Sequence, residues 1–214
     1  MGCISLNILD VGHGNSAVLQ DDAVVLVVDA GPGTTLLEFL AEEGITKIDV
    51  LLISHADRDH IRGVISLLAS QISIDLVQVN TDSQKESDLW DDLTYELGCS
   101  NAKGKLQFDV GLTTNHTGKF DRGKIHIEIL APTPYLAAKG PGSTDRENRS
   151  LTANSLSTVV RLSKAGTPLL LLSGDIDNTG LENLADSQVD AKAPVAVFPH
   201  HGGKPGTADM SSFS

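Results

Sequence analysis

Residues 47–54 read KIDVLLIS and run without a break into HADRDH. A continuous aliphatic run with no polar alternation predicts a strand buried on both faces, as in sheets covered by helices. After His60, IRGVISLLAS sets Ile61, Val64, Ile65 and Leu68 at helical spacing. A buried strand, a polar turn and an amphipathic helix constrain the chain to the α/β class, where ligands bind outside the carboxyl ends of strands. His55, Asp57, Asp59 and His60 occupy that position. A solvated turn, with Asp59 as the helix N-cap and His55 as a satisfied core histidine, accounts for either residue alone.

The same plan recurs further along. PLLLLSGD is an aliphatic strand ending at Asp175, and APVAVFPHHGG is another ending at His200 and His201. Between these landmarks the chain alternates strands and helices. Ile4, Leu6 and Ile8 alternate in a first strand that breaks at GHGN, and AVVLVVDAG gives a second. TTLLEFLAEEG reads as a helix with Leu36, Leu37 and Leu40 on one face and Gly44 as its C-terminal stop. IDLVQVN is a strand. SDLWDDLTYELG is a helix that lines up Leu89, Leu93 and Leu97 and takes Trp90 into the core. KIHIEIL and SLSTVVRL are further strands. The Pro-, Gly- and charge-rich stretch APTPYLAAKGPGSTDRENRS has the composition of a mobile loop.

Three strand ends thus present imidazoles and carboxylates, good ligands for Zn or Mn that need no thiolate. Residues two apart at a strand end point the same way, which groups His55, Asp57 and Asp59. His60, one step on, is placed to reach a second ion. A carboxylate from another strand, Asp175, suits the bridge between two cations about 3.5–4 Å apart. A lone GD or HHG carries little information; H-x-D-x-D-H after an aliphatic strand carries much more.

These motifs resemble the metallo-β-lactamase-fold superfamily, whose signature H-x-[HD]-x-D-H reads HADRDH in this chain. Within it the sequence is most similar to the hydrolase domain of the DNA-uptake competence channel protein and its soluble relatives. Their DVGQGDS-like turn, IDAG, SHxDxDHxGG, NxxS, LLTGD and HHGS have counterparts in DVGHGNS, VVDAG, SHADRDHIRG, NSLS, LLSGD and HHGG, over residues 6–203. The resemblance implies an αβ/βα four-layer sandwich, with two mixed β-sheets and helices on the outer faces, as a single domain over 1–214. It implies one ion on His55 and Asp57, a second on Asp59, His60 and a terminal histidine, and Asp175 between them. His200, first off its strand, is the expected ligand, leaving His201 to meet substrate or protonate a leaving group; the two roles are interchangeable on sequence grounds.

Departures from the pattern shape the expectation. Many members have His at the positions of Asp57 and Asn154. A carboxylate and an amide there loosen the first ion and tilt preference from Zn toward Mn or Mg. Arg62 replaces a glycine and reads as a helix-surface charge or a phosphate contact. His13, in the Gly-rich turn near the strand ends, is a candidate substrate contact.

Two divalent ions generate hydroxide at neutral pH and stabilise the oxygens of an in-line displacement. Phosphodiester hydrolysis, by a nuclease or nucleotide phosphodiesterase, is the expected reaction. Acyl hydrolysis of a lactone, thioester or β-lactam suits the same site, and a catalytically idle interaction module is the alternative of another class. A net charge of -12 with only 16 Lys and Arg excludes a broad basic nucleic-acid surface, so an anionic substrate must be gripped at the site. No apolar run is long enough for a bilayer, no signal peptide is evident, and MGCISL has Leu6 where a myristoylation signal wants Ser or Thr. Cys3 and Cys99 read as reduced thiols, and a cytoplasmic location is expected. The short tail after His201 leads us to expect an abbreviated C-terminus or a longer protein whose remaining part, or a partner subunit, completes the surface.

Overall fold

A computed structural model describes residues 4–22, 24–80 and 87–202, with side chains up to residue 200. It is mixed α/β and contains two mixed sheets. The chain divides into two compact units, residues 1–79 with 85–110 and residues 80–84 with 111–214.

The first unit is built on a six-stranded sheet whose spatial order follows the sequence. Its strands are β1 (Ile4–Ile8), β2 (Ala17–Asp21), β3 (Val24–Val28), β4 (Lys47–Ile53), β5 (Ser73–Asn80) and β6 (Gln107–Leu112). β1, β2 and β3 are antiparallel neighbours, whereas β3, β4 and β5 are parallel. Parallel pairing requires crossovers, and α1 (Thr35–Glu42) and α2 (Arg58–Ala69) supply them. With α3 (Asp88–Ala102), these helices press Leu36, Leu40, Ile61, Val64, Leu67, Trp90, Leu93 and Leu97 against Val27, Leu51, Ile53, Val77 and Val79. Each such aliphatic side chain, fully buried, contributes about 1.5–3 kcal/mol before chain entropy is counted.

The second unit carries a four-stranded sheet in the order β10 (Ala196–Val197), β9 (Thr167–Leu172), β8 (Val159–Lys164), β7 (Ile125–Ala131). β7, β8 and β9 are antiparallel, and β10 adds to β9 in parallel. α5 (Asn178–Asp186) covers part of this sheet with Leu181 and Leu184, packed among Leu130, Val159, Leu171 and Ile176.

Three elements differ from expectation. β6 has no clean apolar alternation, and Val110 is exposed, so only pairing at the sheet edge makes it a strand. The stretch expected to be a mobile loop contains α4 (Pro134–Lys139), capped by the Thr133 hydroxyl accepting from Leu136 N–H and started by proline at its first position. Leu136 of α4 packs with Leu151 and Leu156. The rest of that stretch is clamped by Arg149, which binds Asp145 at 2.6 Å, Glu182 at 3.0 Å and Asp186 at 2.8 Å. Burial pushes the Asp145 carboxyl up, but hydrogen bonds from the Arg149 backbone, Asn183 and the Arg149 side chain outweigh it and hold the group at about 2. Lastly, the strand at 194–198 is two residues long and passes into a 3₁₀ turn at Pro199–Gly202. Among the described residues, no helix is long and apolar enough to cross a membrane.

Candidate metal-ligand clusters in each unit

β4 ends at Ile53, and the polar residues that follow are not an extension of it. Asp57 is the N-cap residue of α2 in extended conformation, and its carbonyl accepts from His60 N–H at 2.9 Å. Asp59 and His60 lie in the first helical turn. The strand-end alternation expected to group His55, Asp57 and Asp59 therefore does not operate, because the helix begins at Arg58. His55 and Asp57 still meet, Nε2 to Oδ2 at 3.9 Å. Asp59 Oδ2 lies 3.5 Å from Nε2 of His13 on the β1–β2 hairpin. Arg62 is exposed on α2.

His55 and His60 are fully buried, with ring centroids 3.8 Å apart and ligand nitrogens within 4.8 Å. What orients them is Asp29, a residue not singled out from the sequence. It closes β3 with φ 61°, a left-handed conformation that aspartate tolerates better than most residues. Its Oδ1 accepts from Ser54 N–H at 2.7 Å, and its Oδ2 accepts from the Ser54 hydroxyl at 2.7 Å and from His60 Nδ1 at 2.8 Å. The Ser54 hydroxyl, its proton committed to Asp29, accepts from His55 Nδ1 at 3.1 Å. Both imidazoles thus carry a proton on Nδ1 and present Nε2 as the ligating atom. A carboxylate behind a ligating histidine fixes its tautomer in this way. The sequence signal was the single acid closing the apolar run in VVDAG.

Backbone contacts lock this arrangement. Ala30 N–H donates to His60 C=O at 2.9 Å, and Gly63 N–H donates to Ala30 C=O at 2.8 Å. A Cβ on Gly63 would sit 2.6 Å from the Gly31 carbonyl oxygen, so only glycine lets the 29–31 turn lie on α2.

In the second unit Asp175 lies three residues beyond β9, buried, with its backbone N–H held by the Ser157 hydroxyl at 3.0 Å. His200, in the 3₁₀ turn with φ 52°, donates its N–H to Gly174 C=O at 3.2 Å. Its Nδ1 comes to 3.5 Å from Asp175 Oδ2 and 3.3 Å from Asn154 Nδ2. Asn154 heads a 3₁₀ turn (Asn154–Leu156) anchored by Asp177, which accepts from the Thr152 and Ser155 hydroxyls at 2.6 and 2.8 Å. The structure therefore brings His200 to Asp175 and Asn154 in this unit; in the first it sets His55 beside His60 and Asp57, and His13 beside Asp59. The side chain of His201 lies outside the described residues.

The donor chemistry fits divalent cations: imidazole nitrogens and carboxylate oxygens, with no thiolate.

The model of the Metallo-beta-lactamase superfamily matches residues 9–72, the segment holding HADRDH and VVDAG. No curated protein sequence matches the chain. Among solved structures, the chain is similar to the metallo-beta-lactamase fold protein YhfI from Bacillus subtilis, with 14% identity and a TM-score of 0.46 over 76% of this chain and 55% of that one. It is similar to a diphosphatase from the PhnP family, with 14% identity and a TM-score of 0.45 over 80% of this chain and 56% of that one. It is also similar to the B3 metallo-beta-lactamase BLEG-1, with 21% identity and a TM-score of 0.48 over 80% of this chain and 72% of that one. The chain thus spans little more than half the length of the first two. The family-model match lies over the ligand-bearing segment and covers less than a third of the chain.

Proposed function

We propose that the chain is a metal-dependent hydrolase of phosphodiester bonds in a nucleic acid or nucleotide, and that 1–214 acts as one hydrolase domain. In this reading the chain would hold two divalent ions, Zn or Mn with Mg as a third option: His55 and Asp57 would bind one, Asp59, His60 and His200 the other, and Asp175 would be shared. The observation that carries a metal role is the commitment of both buried Nδ1 atoms to the Ser54–Asp29 pair, which leaves two Nε2 atoms as preset ligands. Bound divalent ions supply a nucleophile at neutral pH and neutralise charge on a transferring phosphoryl group. Asp29 and Ser54 hold the imidazoles in one tautomer, so no reorientation accompanies loading. His201 is assigned to the leaving group, and His13 and Arg62 face substrate or solvent.

The phosphodiester assignment rests on the motif likeness to the hydrolase domain of the DNA-uptake competence channel protein, in particular DVGHGNS and NSLS with LLSGD. The acidic balance favours short or single-stranded substrates over long duplex, because long duplex requires many cationic contacts. The substrate's remaining grip, if a larger protein or partner subunit provides it, falls outside these residues.

The test is to load purified protein with Zn, Mn or Mg and assay single-stranded DNA, plasmid, RNA and a chromogenic phosphodiester. Turnover of at least one, lost in Asp59→Ala with folding intact, is the expected result. Turnover of a lactone or thioester alone would move the assignment to acyl hydrolysis. Function retained by Asp59→Ala would identify an interaction module.

A further inference from the structure

We infer that the end of the second unit's sheet where β8 turns into β9 is a phosphate-binding surface for single-stranded nucleic acid, formed by Lys119, Arg122, Lys124 and Lys164. The inference deepens the phosphodiester reading above and rests on it, and it concerns only residues of the second unit. Three observations carry it.

The first is where the charge sits. The excess of acid belongs to the first unit, which holds 17 Asp and Glu against 6 Lys and Arg. The second unit holds 11 against 10 and is close to balance. Within it, residues 116–126 contain Lys119, Arg122 and Lys124 with a single acid, Asp121, and two histidines. On a chain that repels polyanions elsewhere, a local excess of cations selects the place of contact, because salt confines each field to about 8–10 Å.

The second is that the topology adds a fourth cation and takes the acids away. Ile125 pairs with Lys164 across β7 and β8, and Lys164 pairs with Thr167 across β8 and β9. Arg122 bridges to Ile125, whose N–H donates to Arg122 C=O at 3.0 Å, so Arg122 and Lys124 flank the same pair. Gly118 N–H donates to Ile127 C=O at 2.8 Å, which sets Lys119 beside the same end of β7. Lys119 and Lys124 are exposed, Arg122 and Lys164 half-buried. Asp121, in contrast, is turned onto the strand: its Oδ1 accepts from Ile127 N–H at 2.8 Å and its Oδ2 from His126 Nδ1 at 2.7 Å. Glu128, the next acid along β7, accepts from Arg161 Nε and Nη2, both at 2.8 Å.

The third is that the segment bearing these cations is fixed in place. β7 is an edge strand, and Thr117 covers its open side by accepting from Ile129 N–H at 2.9 Å and donating to Ile129 C=O at 3.1 Å. Phe120 is buried and stacks on His116 with ring centroids 5.9 Å apart. An edge covered in this way does not template another strand. Anion binding here therefore requires no ordering of backbone, which would otherwise weaken it.

Placement decides the length of the ligand. β9 starts at Thr167 at this end, and Asp175 lies three residues past its other end. At about 3.3 Å per strand residue the two are separated by on the order of 20 Å. A stacked strand rises about 3.4 Å per nucleotide, so a chain of about six nucleotides spans that distance and a mononucleotide does not.

The experiment follows binding of a labelled single strand of about 20 nucleotides by fluorescence anisotropy, in chelator to prevent cleavage, from about 50 to 200 mM salt. Wild type is compared with the combined variant Lys119→Gln, Arg122→Gln, Lys124→Gln. A charge-matched control combines Lys103→Gln, Lys105→Gln and Lys139→Gln at exposed positions elsewhere. The first variant is expected to weaken binding and to flatten the slope of log affinity against log salt by about 2, at about 0.7 per lost phosphate contact. The control should bind as wild type does, and turnover of a chromogenic phosphodiester, too short to reach the surface, should be unchanged in both. Absence of binding by wild type, or an equal loss in the control, overturns the inference. Poly-glutamate bound as tightly as the oligonucleotide overturns it too, and assigns the surface to an acidic protein. A failure of the hydrolase reading is distinguishable: metal-loaded wild type then turns over no phosphodiester, whatever the oligonucleotide does.

Discussion

Asp29 Oδ2 accepts from His60 Nδ1 at 2.8 Å, across 31 positions of sequence, and the same oxygen accepts from the Ser54 hydroxyl at 2.7 Å. One buried carboxylate therefore sets the proton positions of two imidazoles. Asp29→Asn keeps a residue type that tolerates φ 61° but brings an NH₂ group against donors. We expect zinc affinity to fall about 10- to 100-fold with far-UV circular dichroism unchanged. Undiminished affinity in a chelator competition would show that Asp29 orients nothing.

Gly63→Ala should destabilise the first unit although alanine is the better helix former. The new Cβ would lie 2.6 Å from the Gly31 oxygen and 2.8 Å from the Ala30 oxygen, both backbone atoms that cannot swing away. Alanine's helix propensity recovers about 1 kcal/mol, whereas forced separation of packed elements costs about 1–3 kcal/mol. Thermal unfolding should report a lower Tm, and an unchanged or higher Tm would contradict the close approach of turn and helix.

His200→Ala and His201→Ala should differ in kind. His200 stands 3.5 Å from Asp175 Oδ2, so its loss is expected to cost an ion, seen by elemental analysis. His201→Ala is expected to keep the metal content and lose mainly kcat. Equal metal loss in both would refute this division.

Asp145 supplies a pH signature. Its folded value is about 2, below the ordinary carboxylate value of about 3.9, so its stabilisation is fully present above that ordinary value. It is lost as pH falls through about 2. Asp145→Asn should therefore unfold more readily than wild type at pH 6, and the gap should close between about pH 4 and 2. A gap in denaturation midpoint that persists unchanged at pH 2 would mean that the Asp145 charge is not what clamps Arg149.

Much of the fold was legible because its signals are local. KIDVLLIS has the unbroken aliphatic run of a central parallel strand, and β4 is flanked by β3 and β5 on both sides. Leu89, Leu93 and Leu97 fall on one side of α3 with Trp90 in the core. β6 was not legible, since QFDVGL owes its extended form to a neighbouring strand rather than to its own pattern. Nor was α4, whose six residues are too few for periodicity to show. In the candidate site, residue types and their placement near strand ends were readable. The pairing was not: Asp59 comes to 3.5 Å from His13, on a helix that already begins at Arg58.

By itself the sequence determined where imidazoles and carboxylates follow buried strands, since hydrophobic period and chain punctuation act over a few residues. Tertiary structure alone decided which nitrogen of each histidine is protonated, which acid stands behind it, and how closely the glycine-bearing turns approach α2. Those depend on atoms brought within 3 Å from positions tens of residues apart, and no local pattern encodes such distances.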